Sequence, residues 1–130
     1  MACLETTFLV DLVRGKKEVK LFKEELDKSE SRLCMTAPSV MELWAGMFLA
    51  KSSAAEKQHV NDLIESLEVL PLDAKSAKEA GEMESELIQK GVRLETEDLM
   101  IAAIARVHGE KLVTRDQHYA RIPGLKLLKY

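Results

Sequence analysis

The chain has 130 residues, the length of one ordinary domain, and its 46% apolar and 32% charged content describes a globular protein with material for a core, not a disordered chain. Lys and Arg total 19 against 22 Asp and Glu, a net charge of −3, which excludes a protein that grips nucleic acid through bulk positive charge. A local basic patch remains open, as does a bound cation that reverses the local sign.

Short apolar runs alternate with longer segments of helical period along the chain. Residues 2–4 read as a first strand. A short helix follows over 6–15, capped by Thr6 and stopped by Gly15. From 17 to 30, Val19, Phe22 and Leu26 make one apolar stripe on a charged helix. A second strand is predicted over 32–35. Pro38 and Ser39 then open a helix carrying Val40, Leu43, Trp44, Met47 and Phe48. Residues 54–67 are helical, and 69–72 form a short strand that Pro71 marks as an edge. A helix over 74–90 ends at Gly91. The almost continuously apolar segment 98–108 reads as a helix packed on the sheet, closed by Gly109. A strand over 111–114, a helical turn over 116–122 and a last strand over 125–128 complete the chain. Strand and helix in recurring alternation predict an α/β fold, a three-layer α/β/α sandwich on a mainly parallel sheet of four to five strands.

Cys3 and Cys34 lack CxxC spacing and sit in apolar surroundings, which predicts inert buried thiols and no zinc site, with a disulfide left open. No apolar run approaches the 18 or so residues of a membrane span. The opening residues carry acids and no basic leader, so no signal peptide is read and the cytoplasm is the expected address.

Ligands of an open parallel sheet bind beyond the carboxyl ends of its strands, so the polar residues found there are informative. Glu5 follows the first strand, Glu42 is expected in the first turn of the helix after the second, Asp98 opens the apolar helix and Asp116 follows the strand over 111–114. Each has a bland explanation. Ser39 and Glu42 fit the S-x-x-E capping box, Asp98 suits a first helical turn, Asp116 is a possible N-cap and Glu5 a solvated strand end. Capping does not require an acid at every strand end, however, because Ser and Thr cap equally well. Four carboxylates that converge must repel and raise one another's pKa, and a hard divalent ion, Mg²⁺ with Mn²⁺ as substitute, resolves the conflict. Such a centre suits phosphodiester hydrolysis, with a metal-activated water attacking in line and no protein nucleophile.

These residues also carry a resemblance. LETTFLVDLVRG resembles the opening motif of PIN-domain proteins, SVMELWAG is similar to their second acidic motif, DLMIAAIARVHGEKLVTRD to the third and fourth, and HYARIPGLKLL to the tail. The match runs through the whole chain in order, as a single domain over 1–130, and looks most like the VapC-type toxins of toxin–antitoxin pairs. The resemblance implies a Mg²⁺-dependent endoribonuclease acting on RNA, usually dimeric and inhibited by a cognate antitoxin. It assigns Glu42, Asp98 and Asp116 to the metal, Asp116 through water, and makes Thr7 and Thr114 hydroxyls that orient the site or contact phosphate. Glu5 departs from the family's Asp. One methylene moves the carboxylate by roughly 1 Å against a tolerance of ~0.5 Å, so a working but weakened site is expected, with Glu5 still counted among the ligands.

Arg14, Lys16 and Lys17 cluster just after the first helix, Arg115 lies beside Asp116, and all four are candidates for phosphate contact. The lysines read better as a solvated helix junction, leaving Arg14 and Arg115. Of the three histidines only His118 lies near a candidate acid. The stripe of Trp44, Met47 and Phe48 divides evenly between core and a dimer or antitoxin contact. An inactive PIN-like RNA-binding or assembly module is the alternative function. A phosphorelay receiver lacks the middle-strand Asp it would need, and a Rossmann domain lacks any GxGxxG.

Overall fold

The computed structural model describes residues 1–30 and 32–130. It is built on one sheet of five parallel strands, β1 (Ala2–Leu4), β2 (Leu33–Thr36), β3 (Glu68–Leu70), β4 (Lys111–Thr114) and β5 (Leu127–Lys129), in the order β3-β2-β1-β4-β5. The chain steps outward from β1 to β3 on one side, then crosses to β4 and β5 on the other. The reversal falls between β1 and β4, which register Cys3 against Leu112 and Leu4 against Val113. A crevice opens at such a reversal, beyond the carboxyl ends of the two strands.

Among the described residues, six helices cover the sheet: α1 (Thr6–Val13), α2 (Lys17–Ser29), α3 (Ala37–Leu49), α4 (Ala54–Ser66), α5 (Ala74–Gln89) and α6 (Thr96–Val107). Alternation along the strands divides the core. Ala2, Leu4, Met35 and Val113 face one side and meet Phe8, Leu9, Val19, Leu26, Leu43 and Val60 from α1 to α4. Cys3, Cys34 and Leu112 face the other, where Met83 and Leu87 of α5 and the buried run Ile101 to Ala105 of α6 pack. Ile101, Ala102, Ala103, Ile104 and Ala105 of α6 are all fully buried, which explains why that segment reads as continuously apolar. The expected α/β/α sandwich is thus the observed one, with five strands, all parallel.

The boundaries carry several corrections. Glu5, not Thr6, caps α1, its side chain accepting from the Thr7 amide. Thr36 caps α3 through the Ser39 amide, so Ser39 lies inside the helix and no Ser39–Glu42 capping box exists. α6 starts at Thr96, earlier than its apolar period shows, because its first turn, Thr96 to Asp98, is polar and its buried residues begin at Leu99. β3 and β5 are each displaced by one or two residues from the apolar runs that predict them. Pro71 does flank an edge strand. Gly15 and Gly109 take φ of +75° and +65° and turn the chain out of α1 and α6, conformations that a β-carbon would strain. Cys3 and Cys34 are register partners on β1 and β2, both buried and both free, with the contact between the two thiols, and then burial, pushing the Cys3 thiol pKa upward. No helix among the described residues is long and apolar enough to cross a membrane.

Candidate active site

Glu5 sits at the bottom of the crevice between β1 and β4. Its backbone amide continues the sheet by donating to Val113 O at 3.0 Å, and only 3% of the residue is exposed. It is no solvated strand end. Oε2 accepts from the Thr7 amide at 3.0 Å, while Oε1 accepts from the Thr7 hydroxyl at 2.7 Å and from the Thr114 hydroxyl. Burial nevertheless raises the Glu5 pKa above the usual carboxylate value. The threonine bonds oppose the rise and the nearby Asp116 adds to it. Thr114 is itself buried, and its oxygen also accepts from the Asp116 amide at 3.0 Å.

Glu42 is the sixth residue of α3, one and a half turns from its start, and is half-buried. Its Oε1 accepts from the Thr6 hydroxyl at 2.8 Å. Thr6 in turn lies 2.9 Å from the Ser39 hydroxyl, which the buried Thr36 reaches at 3.2 Å. A chain of hydroxyls from β2 therefore fixes the carboxylate. Burial raises the Glu42 pKa, and the charges of Asp98, Glu5 and Glu97 reinforce the effect.

Asp98, in the first turn of α6, accepts through Oδ1 from the Tyr119 hydroxyl at 3.1 Å. Tyr119 is wholly buried, and burial together with Glu5 and Asp98 drives its phenol pKa far up, so the hydroxyl stays protonated and donates. Burial also raises the Asp98 pKa, with Asp116 adding repulsion. Asp116 caps a 3₁₀ turn over Gln117–Arg121. Its Oδ1 accepts from the His118 amide at 2.9 Å and lies 2.9 Å from His118 Nδ1. The bland capping role is real for Asp116, and it occupies only one of the two oxygens.

Four segments thus bring Glu5, Glu42, Asp98 and Asp116 to one end of the sheet, close enough for each to feel at least one other. Among the described residues, no three His, Cys, Asp or Glu side chains enclose a ready-made cation site in these rotamers. One oxygen each of Glu42, Asp98 and Asp116 is held by a neighbour, and no protein donor among the described residues engages the second. That donor set is all oxygen, suits Mg²⁺ or Mn²⁺, and fits an ion that retains several of its waters better than one fully wrapped by protein.

Arg14 is exposed at the end of α1 and shares a groove of about 350 Å³ with Glu42, Val10 and Met47. Arg115 turns to Asp11, with Nε 2.8 Å from Oδ2. The α3 stripe splits: Met47 packs on the core, whereas Trp44 and Phe48 meet edge to face at 5.9 Å and remain open to solvent beside Met41 and Leu49. Sequence reasoning missed Thr6 and Tyr119 as partners of the acids. It also missed Asp11, although one acid inside the apolar run TTFLVDLV is the mark of a buried charge that needs a partner.

The model of the PIN domain matches residues 2–125. The tRNA(fMet)-specific endonuclease VapC of Salmonella typhimurium is 32% identical over 127 residues, covering 95% of this chain and 93% of that protein. Ribonuclease VapC2 of Rickettsia felis is 29% identical over 125 residues, covering 95% and 93%. Among solved structures, VapBC2 of Rickettsia felis bound to a promoter DNA fragment superposes with a TM-score of 0.86 at 27% identity, over 100% of this chain and 99% of that one. DNA-bound VapBC of Salmonella typhimurium gives 0.84 at 29% identity, over 99% and 98%. The family model, the sequence relatives and the superposed structures agree, and the chain belongs to the PIN domain family, among the VapC-type ribonucleases of toxin–antitoxin systems.

Proposed function

We propose that this protein is a Mg²⁺-dependent endoribonuclease that hydrolyses RNA phosphodiester bonds, and that it is the toxin of a toxin–antitoxin pair. The observation that carries the reading is the set of four carboxylates at the β1/β4 crevice, three of them with pKa values pushed up by burial and by one another. Glu42, Asp98 and Asp116 would hold the ion through their unengaged oxygens, and Glu5 would add a carboxylate at the same crevice. Bound there, a divalent cation would acidify a water and polarise a phosphoryl oxygen. The surrounding side chains do the orienting. Thr6 holds Glu42, Tyr119 holds Asp98, and Thr7 with Thr114 holds Glu5, so each carboxylate is aimed before any ligand arrives.

Two relatives are tRNA(fMet)-specific endonucleases, which makes that tRNA the first substrate to try. The solved neighbours are VapBC complexes, which supports a cognate antitoxin as partner. The exposed ridge of Met41, Trp44, Phe48 and Leu49 supports a protein partner, antitoxin or second copy, as does the frequency of such residues in interface cores. The deciding experiment pairs calorimetric titration of Mg²⁺ and Mn²⁺ with RNA cleavage by wild type and Asp98→Asn, which keeps an acceptor for Tyr119. Metal binding and cleavage in the wild type, with cleavage abolished in a variant that melts normally, is the expected result. Cleavage retained by the variant would place the centre elsewhere. No metal binding would leave the inactive RNA-binding or assembly module, a reading that the engagement of both Glu5 oxygens, one by the Thr7 amide and one by two hydroxyls, favours.

A further inference from the structure

Asp11 is a charge for which the proposed chemistry has no use. It lies on α1, and its side chain is 1% exposed. Donors from three other segments converge on it. Arg115 donates from Nε at 2.8 Å and Nη2 at 3.4 Å, Lys16 Nζ lies at 2.9 Å, and the Tyr130 hydroxyl donates at 2.8 Å. Tyr130 is held in turn by its ring, which meets Phe8 edge to face at 4.8 Å. Two cations thus share one anion, and the cluster keeps a net positive charge. Both cations are only half covered, with 47% of the Lys16 and 49% of the Arg115 side chain exposed. The anchor is internal while the charged ends reach solvent.

The cluster adjoins the acids directly. Arg115 lies between Thr114 and Asp116 in the chain, and the Tyr130 hydroxyl is 3.5 Å from the Thr7 oxygen that donates to Glu5. A polyanion approaching four carboxylates on a chain of net charge −3 meets repulsion. We propose that Asp11 is a positioning residue that holds Arg115 and Lys16 as a clamp for the phosphates of a single RNA strand at the edge of the carboxylate group. The inference rests on the ribonuclease reading above and adds to it how the substrate backbone is held. Arg115 engages Asp11 through Nε and Nη2, leaving Nη1 to donate outward, and the Lys16 ammonium has N–H groups to spare. Anchoring the two long side chains in advance reduces the rotamer freedom lost when RNA binds. Lys16, which reads in sequence as a solvated junction residue, becomes part of the site through this one contact.

The test uses two assays. On an Asp98→Asn background, which separates binding from cleavage, the affinity for a fluorescein-labelled single-stranded RNA is measured against KCl concentration for Arg115→Gln, Lys16→Gln and Asp11→Asn, each checked by thermal melting. With Asp98 intact, the same substitutions are measured in steady-state cleavage. Arg115→Gln and Lys16→Gln alter half-exposed positions and should fold normally. Each should weaken binding severalfold and reduce the slope of log affinity against log salt by about 0.7, the value for one single-strand phosphate contact. Asp11→Asn should weaken binding at least as much as Arg115→Gln, and combining the two should add little. The loss should appear in KM, with kcat within about twofold. Unchanged affinity and salt slope in the two surface variants, with only a lowered melting point for Asp11→Asn, would make Asp11 a structural tie and overturn the clamp while the ribonuclease reading stands. A parent that neither binds nor cleaves RNA would end the ribonuclease reading itself, and the clamp with it.

Discussion

Replacing Glu42 by Gln isolates the electrostatic cost of the acid group. The substitution keeps the shape and an oxygen that can accept from Thr6, so the 2.8 Å bond survives and only the charge is lost. Burial raises the Glu42 pKa first of all, and Asp98, Glu5 and Glu97 raise it further. Repulsion within one partly solvated charge pair is about 0.2–1 kcal/mol, and Glu42 faces three acids, so relief should amount to about 1 kcal/mol. For a domain of this size that is a rise of about 4 °C in Tm. The sign follows from the direction of the shift. A carboxyl whose pKa is raised on folding binds its proton more tightly in the native state, so its ionisation costs nothing below the unfolded value near ~4.3 and the full amount above the folded one. Metal-free Glu42→Gln should therefore melt like the wild type near pH 4 and increasingly above it as pH approaches 7. Added Mg²⁺ should stabilise the wild type more than the variant and narrow the gap. Differential scanning calorimetry across this pH range, with EDTA and then with Mg²⁺, provides the measurement. A variant less stable than wild type at pH 7, or a gap independent of pH, would refute the claim that Glu42 lies in a repulsive group.

Asp11 should behave in the opposite sense. The Arg115 guanidinium, with help from Lys16 and Tyr130, holds its carboxyl far below the usual range, so its contribution is complete above the unfolded pKa near ~3.9 and is lost as pH falls further. Asp11→Asn should cost about 2 kcal/mol at pH 7, less than the ~3–5 kcal/mol of a fully buried pair because Arg115 and Lys16 can turn to solvent, and much less near pH 2; equal losses at both would refute the linkage. Tyr119→Phe removes the hydroxyl bonded to Asp98 and should cost about 1 kcal/mol by chemical denaturation, while calorimetry should show weaker Mg²⁺ binding. Glu5→Asp withdraws the carboxylate by roughly 1 Å, one methylene, and stretches the 2.7 Å contact with Thr7 beyond hydrogen-bonding range. Its expected signature is a loss of about 1–2 kcal/mol together with altered Mg²⁺ affinity; unchanged metal binding and cleavage would show that the longer side chain is of no consequence.

The sequence by itself determined the order of the elements, the layering and the acids at the strand ends. Apolar period, helix stops and strand-end polarity are written over stretches of a few residues, so Pro71 beside an edge strand and the apolar run of α6 are legible without coordinates. The displaced caps of α1 and α3 show the limit of that local information. Thr6 reads as a cap, yet its hydroxyl is drawn to Glu42, 36 residues away, and Glu5 takes the capping role. Only the tertiary structure decided which donor holds which acid. Thr114 meets Glu5 across 109 residues, Arg115 meets Asp11 across 104, and Tyr130 reaches Asp11 across 119. A hydrogen bond depends on positions in space to a few tenths of an ångström, and a reversal in strand order brings together segments whose separation along the chain carries no trace of the contact.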